Sequence, residues 1–589
     1  MTAEKKRRQT HTGIWKDTWP AAVMCLLFAC LLFANFGFYY ELNDDVLLRD
    51  IVSGIYTGLP DAHAVYMGYP LTYLYATLYT LTDAFPWYAV GMLLMNFLSV
   101  FVLMQRVSML FNRAVWKILA CLTVLLGCMA TILYQLVFWH YTVTGGFLMA
   151  AACILLMTIP EDYSDRRYFR CAVPAILMIL LAFCVRRQIC LFLLPIVLLA
   201  LLMRHTLEVR GKRRLRFFAG RYLPTALAIL LGIGLCFALN RAAYNSDEWQ
   251  EYLHYNDVRT ELYDYHTIPS YAENSAFYDE AGIDEEQVLL LENYNYVFSD
   301  EIDAGLIEKI NEYNREREGA TIHTLREALW IYVHRLFSLE DAPLSLIILA
   351  LYLVTAILLI VFRKWPSLII LGLLAGGRSA LWLFIILRGR YPDRVTVPLL
   401  LAELAFLLGT LLFALREKEG KIRIPVMLVT AVLMLLGSIT GWGETMERRN
   451  LTEEKCNEWM QLQTFLAEDQ GTFHYLDVYS TVAYSERVFD ELQVRKMLKT
   501  EDGIHYGRNN EIAGGWIAFS PIHAEKQGKF GITDAAESLS EGSLALFVCN
   551  KDRSVDWLET LLSDEEVSRS LSETAQCGDF VVYKAVEKK

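Results

Sequence analysis

Long apolar runs recur along most of the chain and restrict its fold more than any other feature. Hydrophobic residues make up 55% of the 589 residues. They are concentrated in eleven runs of about 15 to 22 residues, close to the length that an α-helix needs to cross a bilayer. The runs are residues 20–38, 87–104, 115–133, 142–159, 171–185, 189–203, 222–239, 342–362, 367–387, 395–415 and 424–439. The sequence therefore predicts a polytopic α-helical membrane protein with about eleven transmembrane helices.

Positive charge in the connections between these runs predicts the orientation. With Arg7 and Arg8 inside, every inside connection carries at least two Lys or Arg, as cytoplasmic connections usually do. These connections are residues 105–114, 160–170, 204–221, 363–366 and 416–423. Residues 171–203 form either two crossings or a re-entrant hairpin, and neither alters the parity. We therefore expect the N-terminus inside and the C-terminus outside.

Two larger regions are expected on the outer face. Residues 241–341 contain 23 Asp or Glu and 7 Lys or Arg, which is typical of a solvated, partly ordered cap. Residues 441–589 become soluble in composition and alternate strand-like and helix-like segments. The strands are expected at 472–478, 544–549 and 580–586, and a helix at 554–562. We interpret residues 1–440 as the transmembrane domain and 441–589 as an extracytoplasmic α/β domain that binds or braces; its Gly514-Gly515 pair matches no phosphate-binding loop.

The outer loop 39–86 contains the first candidate for chemistry, an acidic turn formed by Asn43, Asp44 and Asp45. A helix is expected from Val46 to Gly58, so one aspartate, Asp45, is expected to cap it. A cap needs only one carboxylate. Two aspartates and Glu41 beside the membrane repel one another and lose solvation, which is typical of functional sites. Residues 69–81 are too short and too rich in tyrosine to span, so we expect an interfacial helix.

Arginines that break the charge rule form the second candidate. Five are expected on the outer face, and Arg378 lies inside an apolar run, where a charge is costly without a partner. The outer five are Arg186, Arg187, Arg388, Arg390 and Arg394. A guanidinium binds phosphate through two parallel hydrogen bonds, so these arginines suggest a site for a lipid-linked phosphate. Asp44 or Asp45 would then act as general base, and Glu41, His63 and His140 are candidates for assisting groups.

This layout resembles the GT-C superfamily of integral membrane glycosyltransferases. The resemblance covers the first span, the acidic turn after it, the outer loop with interfacial helices, the many spans and the soluble C-terminal domain. It implies transfer of a sugar from a polyprenyl-phosphate donor to an envelope glycan, lipid or polymer, with the catalytic carboxylate at Asp44 or Asp45. The arginines are assigned by position only. Some members use a divalent metal such as Mg²⁺ or Mn²⁺, and a bacterial plasma membrane is their common setting.

Two other functions compete with the transferase. In a transporter or flippase of lipid-linked glycans, the same arginines would line a path, but charges would then be spread through the depth of the spans rather than concentrated at the outer face. In a non-catalytic envelope assembly protein, the acidic loop and the C-terminal domain would bind partners. Membrane lipids are partners in each case, and nothing in the sequence suggests nucleic acid.

Overall fold

The fold is a bundle of long apolar helices with a helical cap and a small sheet at one end. The computed structural model describes residues 3–208, 214–318, 322–338, 341–416, 420–499, 507–542, 544–563 and 567–588. Within these residues, eleven helices are long and apolar enough to cross a membrane. Numbered in chain order, they are α1 (Ala3–Phe36), α4 (Trp87–Ser108), α5 (Ala114–Thr131), α7 (Tyr141–Thr158), α8 (Asp165–Val185), α9 (Arg187–Glu208), α11 (Leu223–Ala243), α17 (Leu344–Val361), α18 (Trp365–Leu387), α19 (Asp393–Arg416) and α20 (Gly420–Glu468). The polytopic architecture is confirmed, and α8 and α9 are two separate helices of spanning length.

Hydrogen bonds join the basic connections to one another at one end of the bundle. Arg204 donates to the carbonyl of Met157 at 2.6 Å, and Lys364 donates to the carbonyl of Leu207 at 2.9 Å. Arg423 donates to the carbonyl of Leu110. The short helix α10 (Arg214–Arg221) belongs to the same end. The connections expected outside therefore meet at the opposite end, called here the Asp44 end; that it faces outward stays a prediction from the charge rule.

Short elements order the first loop at the Asp44 end. They are β1 (Tyr39–Tyr40), α2 (Asn43–Ser53), α3 (Tyr69–Leu81), α6 (Leu133–Val137) and β2 (Phe138–Trp139). Strands β1 and β2 pair in parallel and tie the end of α1 to the start of α7. Helix α2 ends at Gly54, whose φ of 82° is a left-handed conformation that glycine adopts without strain. Helix α3 is 13 residues long and is not one of the spanning helices, as expected.

The acidic loop folds into helices that share a hydrophobic core with the C-terminal region. The helices are α12 (Asp247–Tyr265), α13 (Tyr271–Ala281), α14 (Glu285–Glu292), α15 (Ala304–Glu318) and α16 (Leu325–Phe337), with a 3₁₀ turn at Tyr296–Phe298. Leu262 and Tyr296 of the loop and Phe473 and Phe547 of the C-terminal region are buried in one cluster. The loop is thus packed as part of a compact cap.

The C-terminal region is a five-stranded mixed sheet with helices, as the α/β prediction requires. The strands are β3 (Phe473–Leu476), β4 (Asn510–Ile512), β5 (Ala545–Asn550), β6 (Arg569–Cys577) and β7 (Phe580–Glu587), in the order β4-β3-β5-β7-β6. Strand β3 pairs in parallel with β4 and β5, and β7 pairs antiparallel with β5 and β6. The helices are α21 (Val478–Thr481), α22 (Glu491–Leu498), α23 (Pro521–Lys529), α24 (Ala535–Ser540) and α25 (Asp556–Leu562).

One helix crosses the domain boundary that the sequence suggests at residue 440. Helix α20 continues from Gly420 to Glu468 over 49 residues, which is about 74 Å at 1.5 Å per residue. That length exceeds the roughly 30 Å hydrocarbon core, so the helix extends from the bundle into the cap. The membrane helices and the C-terminal sheet are therefore joined by a continuous helix.

Candidate functional site

Asp44 lies on the wall of a cavity of about 1290 Å³ between the bundle and the cap. It belongs to the first turn of α2, directly after β1 and Leu42. The backbone N–H groups at a helix N-terminus favour a negative charge at this position. Its Oδ1 accepts a hydrogen bond from Nε1 of Trp516, a residue of the C-terminal region, at 3.1 Å. The half-buried Asp44 carboxylate thus lines the cavity from α2 and is hydrogen-bonded to the C-terminal region.

Asp45 occupies a different environment, although it is the next residue. It is fully buried; its Oδ1 accepts a hydrogen bond from the Tyr88 hydroxyl at 2.8 Å, and its Oδ2 accepts one from the Tyr141 backbone N–H at 3.3 Å. Burial raises the pKa of Asp45 well above its ordinary value. The prediction that Asp45 is the N-cap residue of α2 is wrong. Helix α2 begins at Asn43, and among the described side chains none caps its N-terminus. Asp45 instead joins α2 to two spanning helices.

Four of the six candidate arginines line the same cavity as Asp44. Arg186 lies between α8 and α9, and Arg187 is the first residue of α9. Arg390 lies between α18 and α19, and Arg394 is in the first turn of α19. The Arg186 guanidinium lies 4.8 Å from the centroid of the Tyr66 ring. Burial and the neighbouring Arg394 lower the pKa of Arg390 to about 10, which leaves it a cation at neutral pH. Cations from two connections converge on one cavity, an arrangement that favours an anionic ligand.

Helix α12 of the cap faces these arginines with carboxylates. Asp264 forms an ion pair with Arg390. Burial raises the pKa of Asp257, and Arg187 acts against that shift. Between them, the buried Arg259 donates hydrogen bonds to the Tyr294 hydroxyl at 2.8 Å and to Asn256 Oδ1 at 3.0 Å. The cap therefore supplies its own charged groups to the cavity.

The other two candidate arginines, Arg378 and Arg388, are not among the residues that line the cavity. Arg378 lies inside the bundle, where its Nε donates to Glu403 Oε2 at 2.9 Å. The guanidinium of Arg388 lies over the Tyr265 and Phe384 rings, at 5.5 and 5.0 Å from their centroids. Arg378 is therefore paired with a carboxylate of a neighbouring helix, and Arg388 packs against two aromatic rings. Position along the chain could not reveal either arrangement.

None of the three candidate assisting groups is among the residues that line the cavity. Burial raises the pKa of Glu41 to about 7, and the nearby Arg394 acts against that shift. His63 Nδ1 is 2.7 Å from Asp61 Oδ1, and its ring stacks on Trp249. His140 is buried, and its Nδ1 accepts a hydrogen bond from the Thr142 N–H at 3.0 Å, so it caps α7. Glu41 and His140 both interact electrostatically with the cavity arginine Arg394, and His140 also interacts with Arg186.

Buried charges join the far end of α2 to the C-terminal region. Asp50 accepts a hydrogen bond from Arg508 Nε at 2.8 Å, and Arg508 Nη2 is 2.6 Å from Glu486 Oε1. Arg49 Nη1 is 2.8 Å from Glu486 Oε2. Sequence reasoning missed Arg508, Glu486 and Trp516, because their partners on α2 lie more than 400 residues away. Two adjacent glycines before Trp516 were the only local signal.

The groups around Asp44 do not form a metal site. Its partners are an indole N–H and the nearby Arg390 guanidinium, whereas Mg²⁺ and Mn²⁺ take oxygen ligands. Across the parts of the chain that the structure describes, no three His, Cys, Asp or Glu side chains are grouped to hold a metal ion. The described residues around Asp44 therefore do not fit a Mg²⁺ or Mn²⁺ ion.

No family model and no curated protein matches the sequence. The chain is similar to the crystal structure of ArnT from Cupriavidus metallidurans in the apo state, with a TM-score of 0.40 and 13% sequence identity, over 96% of this chain and 97% of that chain. A likeness of this size does not carry an activity from ArnT to this chain.

Proposed function

We propose that this multi-pass membrane protein is a glycosyltransferase of the GT-C type. It would move a sugar from a polyprenyl-phosphate donor to an envelope glycan, lipid or polymer at the outer face of a bacterial plasma membrane. The observation that carries the proposal is that Asp44 shares one cavity with Arg186, Arg187, Arg390 and Arg394. A carboxylate beside several guanidiniums suits a reaction that removes a proton at one point and releases a phosphate at another.

The proposed step uses the chain's own residues in two roles. The Asp44 carboxylate accepts the proton of an acceptor hydroxyl as that oxygen bonds to C1 of the donor sugar. The bond between C1 and the phosphate oxygen breaks, and its electron pair leaves with the polyprenyl phosphate. The leaving phosphate gains negative charge, which the arginines of the two connections stabilise. Asp45 holds α2 against Tyr88 and Tyr141 and takes no part in proton transfer.

The position of the cavity supports a donor that is anchored in a membrane. The arginines lie at the ends of spanning helices, where a lipid-linked phosphate would reside. The opposite wall, with Trp516 and Tyr294, comes from the cap and offers aromatic and polar surface to a sugar. A volume of about 1290 Å³ exceeds the roughly 300–1,000 Å³ of common ligand pockets, which leaves room for both substrates.

Release of polyprenyl phosphate tests the proposal. The purified protein would be offered a panel of polyprenyl-phosphate sugars together with envelope glycan and lipid fractions. We expect release from at least one donor, with the sugar recovered on an acceptor. Movement of intact donor across a proteoliposome membrane without release would instead identify a transporter or flippase. Neither release nor movement with any donor would favour an assembly role.

A further inference from the structure

A loop of the C-terminal region reaches into the cavity and ends at Asp44. The loop follows β4 and contains Gly514, Gly515 and Trp516, all of which line the cavity. A Cβ on Gly514 would lie 1.9 Å from the Tyr294 carbonyl oxygen, so only glycine permits this close approach. Gly515 has a φ of +123°, which also favours glycine. The backbone can therefore pass close to the acidic loop at Tyr294, and beyond this contact it places Trp516 beside Asp44.

Tyrosines of the acidic loop fix this backbone. The Tyr296 hydroxyl donates to the Gly515 carbonyl at 2.6 Å and accepts from the Gly515 N–H at 2.9 Å. The Tyr252 hydroxyl donates to the Trp516 carbonyl. The Trp516 ring packs against Tyr66, with 4.7 Å between centroids, and is 7% exposed. Contacts on the backbone and on the ring leave Trp516 one well-defined position.

The hydrogen bond from the Trp516 indole can orient the Asp44 carboxylate. Indole Nε1–H is a donor only, so its hydrogen bond favours a carboxylate that carries charge. A donor to one oxygen of Asp44 also fixes the plane of the carboxylate, which a base must hold toward its proton. A tryptophan that served only to fill space would need no acceptor in line with Nε1. The contact at 3.1 Å is therefore a directed one.

We propose that Trp516 is a positioning residue for the Asp44 carboxylate, so that the C-terminal domain completes the reaction site instead of only bracing the bundle. The inference rests on the proposed glycosyl transfer. It adds a residue from outside the membrane domain and assigns the Gly514-Gly515-Trp516 loop to the site. Asp44 remains the group that contacts the acceptor hydroxyl.

Trp516→Phe tests the role because phenylalanine keeps an aromatic ring and removes the N–H donor. We expect kcat to fall roughly 10- to 100-fold, as for the loss of a hydrogen bond to a charged group. The KM for the donor should stay within about twofold, since the arginines are unchanged. Trp557→Phe, in the core of the same domain, is the matched control and should keep wild-type kinetics.

A second measurement needs no turnover. In protein labelled with ¹⁵N-tryptophan, the indole resonance that is missing from Trp516→Phe belongs to Trp516. Asp44→Asn should shift that resonance, and the Trp557 resonance should stay in place. An unmoved Trp516 resonance would overturn the contact, whatever the activity.

The outcomes separate this inference from the proposed function. The positioning role alone would be overturned if the wild type is active, Asp44→Asn is inactive and Trp516→Phe keeps the wild-type kcat. Wild-type protein without transferase activity on any donor would overturn the proposed function and the role with it. A fall in kcat in a Trp516→Phe variant with lowered thermal stability, together with a Trp516 resonance that Asp44→Asn does not move, would identify Trp516 as structural and also overturn the inference.

Discussion

Arg378 and Glu403 form a hydrogen-bonded ion pair inside the membrane-spanning bundle, with Nε of the arginine 2.9 Å from Oε2 of the glutamate. Both are buried, and the pair joins α18 to α19. Tyr352 donates its hydroxyl to Glu403 Oε1 at 2.7 Å, and Arg378 Nη1 donates to the Tyr332 hydroxyl at 3.0 Å. A costly intramembrane arginine is thus explained by its neighbours without any ligand.

Replacing one member of this pair should lower stability. Arg378→Met leaves the Glu403 carboxylate buried without its cation, and we expect a loss of roughly 3–5 kcal/mol in the free energy of unfolding. The combined Arg378→Met and Glu403→Leu variant should recover most of it, because neither charge remains. Thermal unfolding in detergent would measure both. If Arg378→Met has wild-type stability and a raised donor KM, Arg378 binds the donor phosphate and this assignment is wrong.

Two arginines separated by one residue should behave differently. Arg390→Gln removes a cation from the cavity, and we expect the donor KM to rise roughly tenfold or more, as for the loss of a hydrogen bond to a charged group. Arg388→Gln removes the same charge from a residue that does not line the cavity, and it should leave KM within about twofold. Initial rates at varied donor concentration give both values. Equal effects of the two variants would argue against a cavity-specific phosphate site.

Asp264 should compete with the donor phosphate for Arg390. In the free protein the two side chains form an ion pair that is about one-third exposed, with side-chain exposures of 31% and 28%. Asp264→Asn frees the guanidinium, so we expect the donor KM to fall about two- to fivefold, in line with the strength of such pairs. Asp300→Asn, which removes the same charge from the surface of the same loop, should have no effect. A higher KM in Asp264→Asn would mean that Asp264 positions Arg390 for the donor.

The junction between α2 and the C-terminal region should weaken in acid. Burial acts to raise the pKa of Glu486, but Arg49 and Arg508 outweigh it and lower that pKa from 4.5 to about 2. A pKa that is lower in the folded protein adds stability above the ordinary value, and this stability is lost as pH falls from about 4.5 toward 2.

Glu486→Gln should therefore unfold at a lower temperature than wild type at pH 7, and the difference should shrink toward pH 3. A pH-independent difference in melting temperature would contradict this assignment. Glu454→Gln, at an exposed position of α20, is the control for removal of one charge from the same region and should melt as wild type does at both pH values.

The spans could be predicted because each depends on a continuous run of about 20 apolar residues. The positions of Asp44 and Asp45 could not, because they depend on where α2 begins and on which side of it the bundle packs. A start at Asn43 rather than Val46 changes Asp45 from a cap into a buried link to Tyr88. One turn of a helix thus decides which carboxylate faces the cavity.

Contacts between distant segments are the other part of the site that the sequence could not predict. Asp44 meets Trp516, and Asp50 meets Arg508, across more than 450 residues of sequence. Arg378 and Glu403 lie on neighbouring helices, and their pairing depends on helix rotation rather than on any local motif. Arginines in the two outer connections were identifiable because they break the charge rule, and that rule does not say which of them faces inward.

Proton abstraction by Asp44 is the central claim, and comparison of Asp44→Asn with Asp45→Asn tests it most directly. The measurement is the initial rate of polyprenyl phosphate release from a donor that the wild type uses. Asp44→Asn should lose roughly 10²- to 10⁴-fold, the usual contribution of a general base. Asp45→Asn should lose less than about tenfold, because the asparagine oxygen can accept from the Tyr141 N–H and its NH₂ group can donate to the Tyr88 hydroxyl. Near wild-type release by Asp44→Asn, or a larger loss in Asp45→Asn, would contradict the assignment of Asp44 as the base.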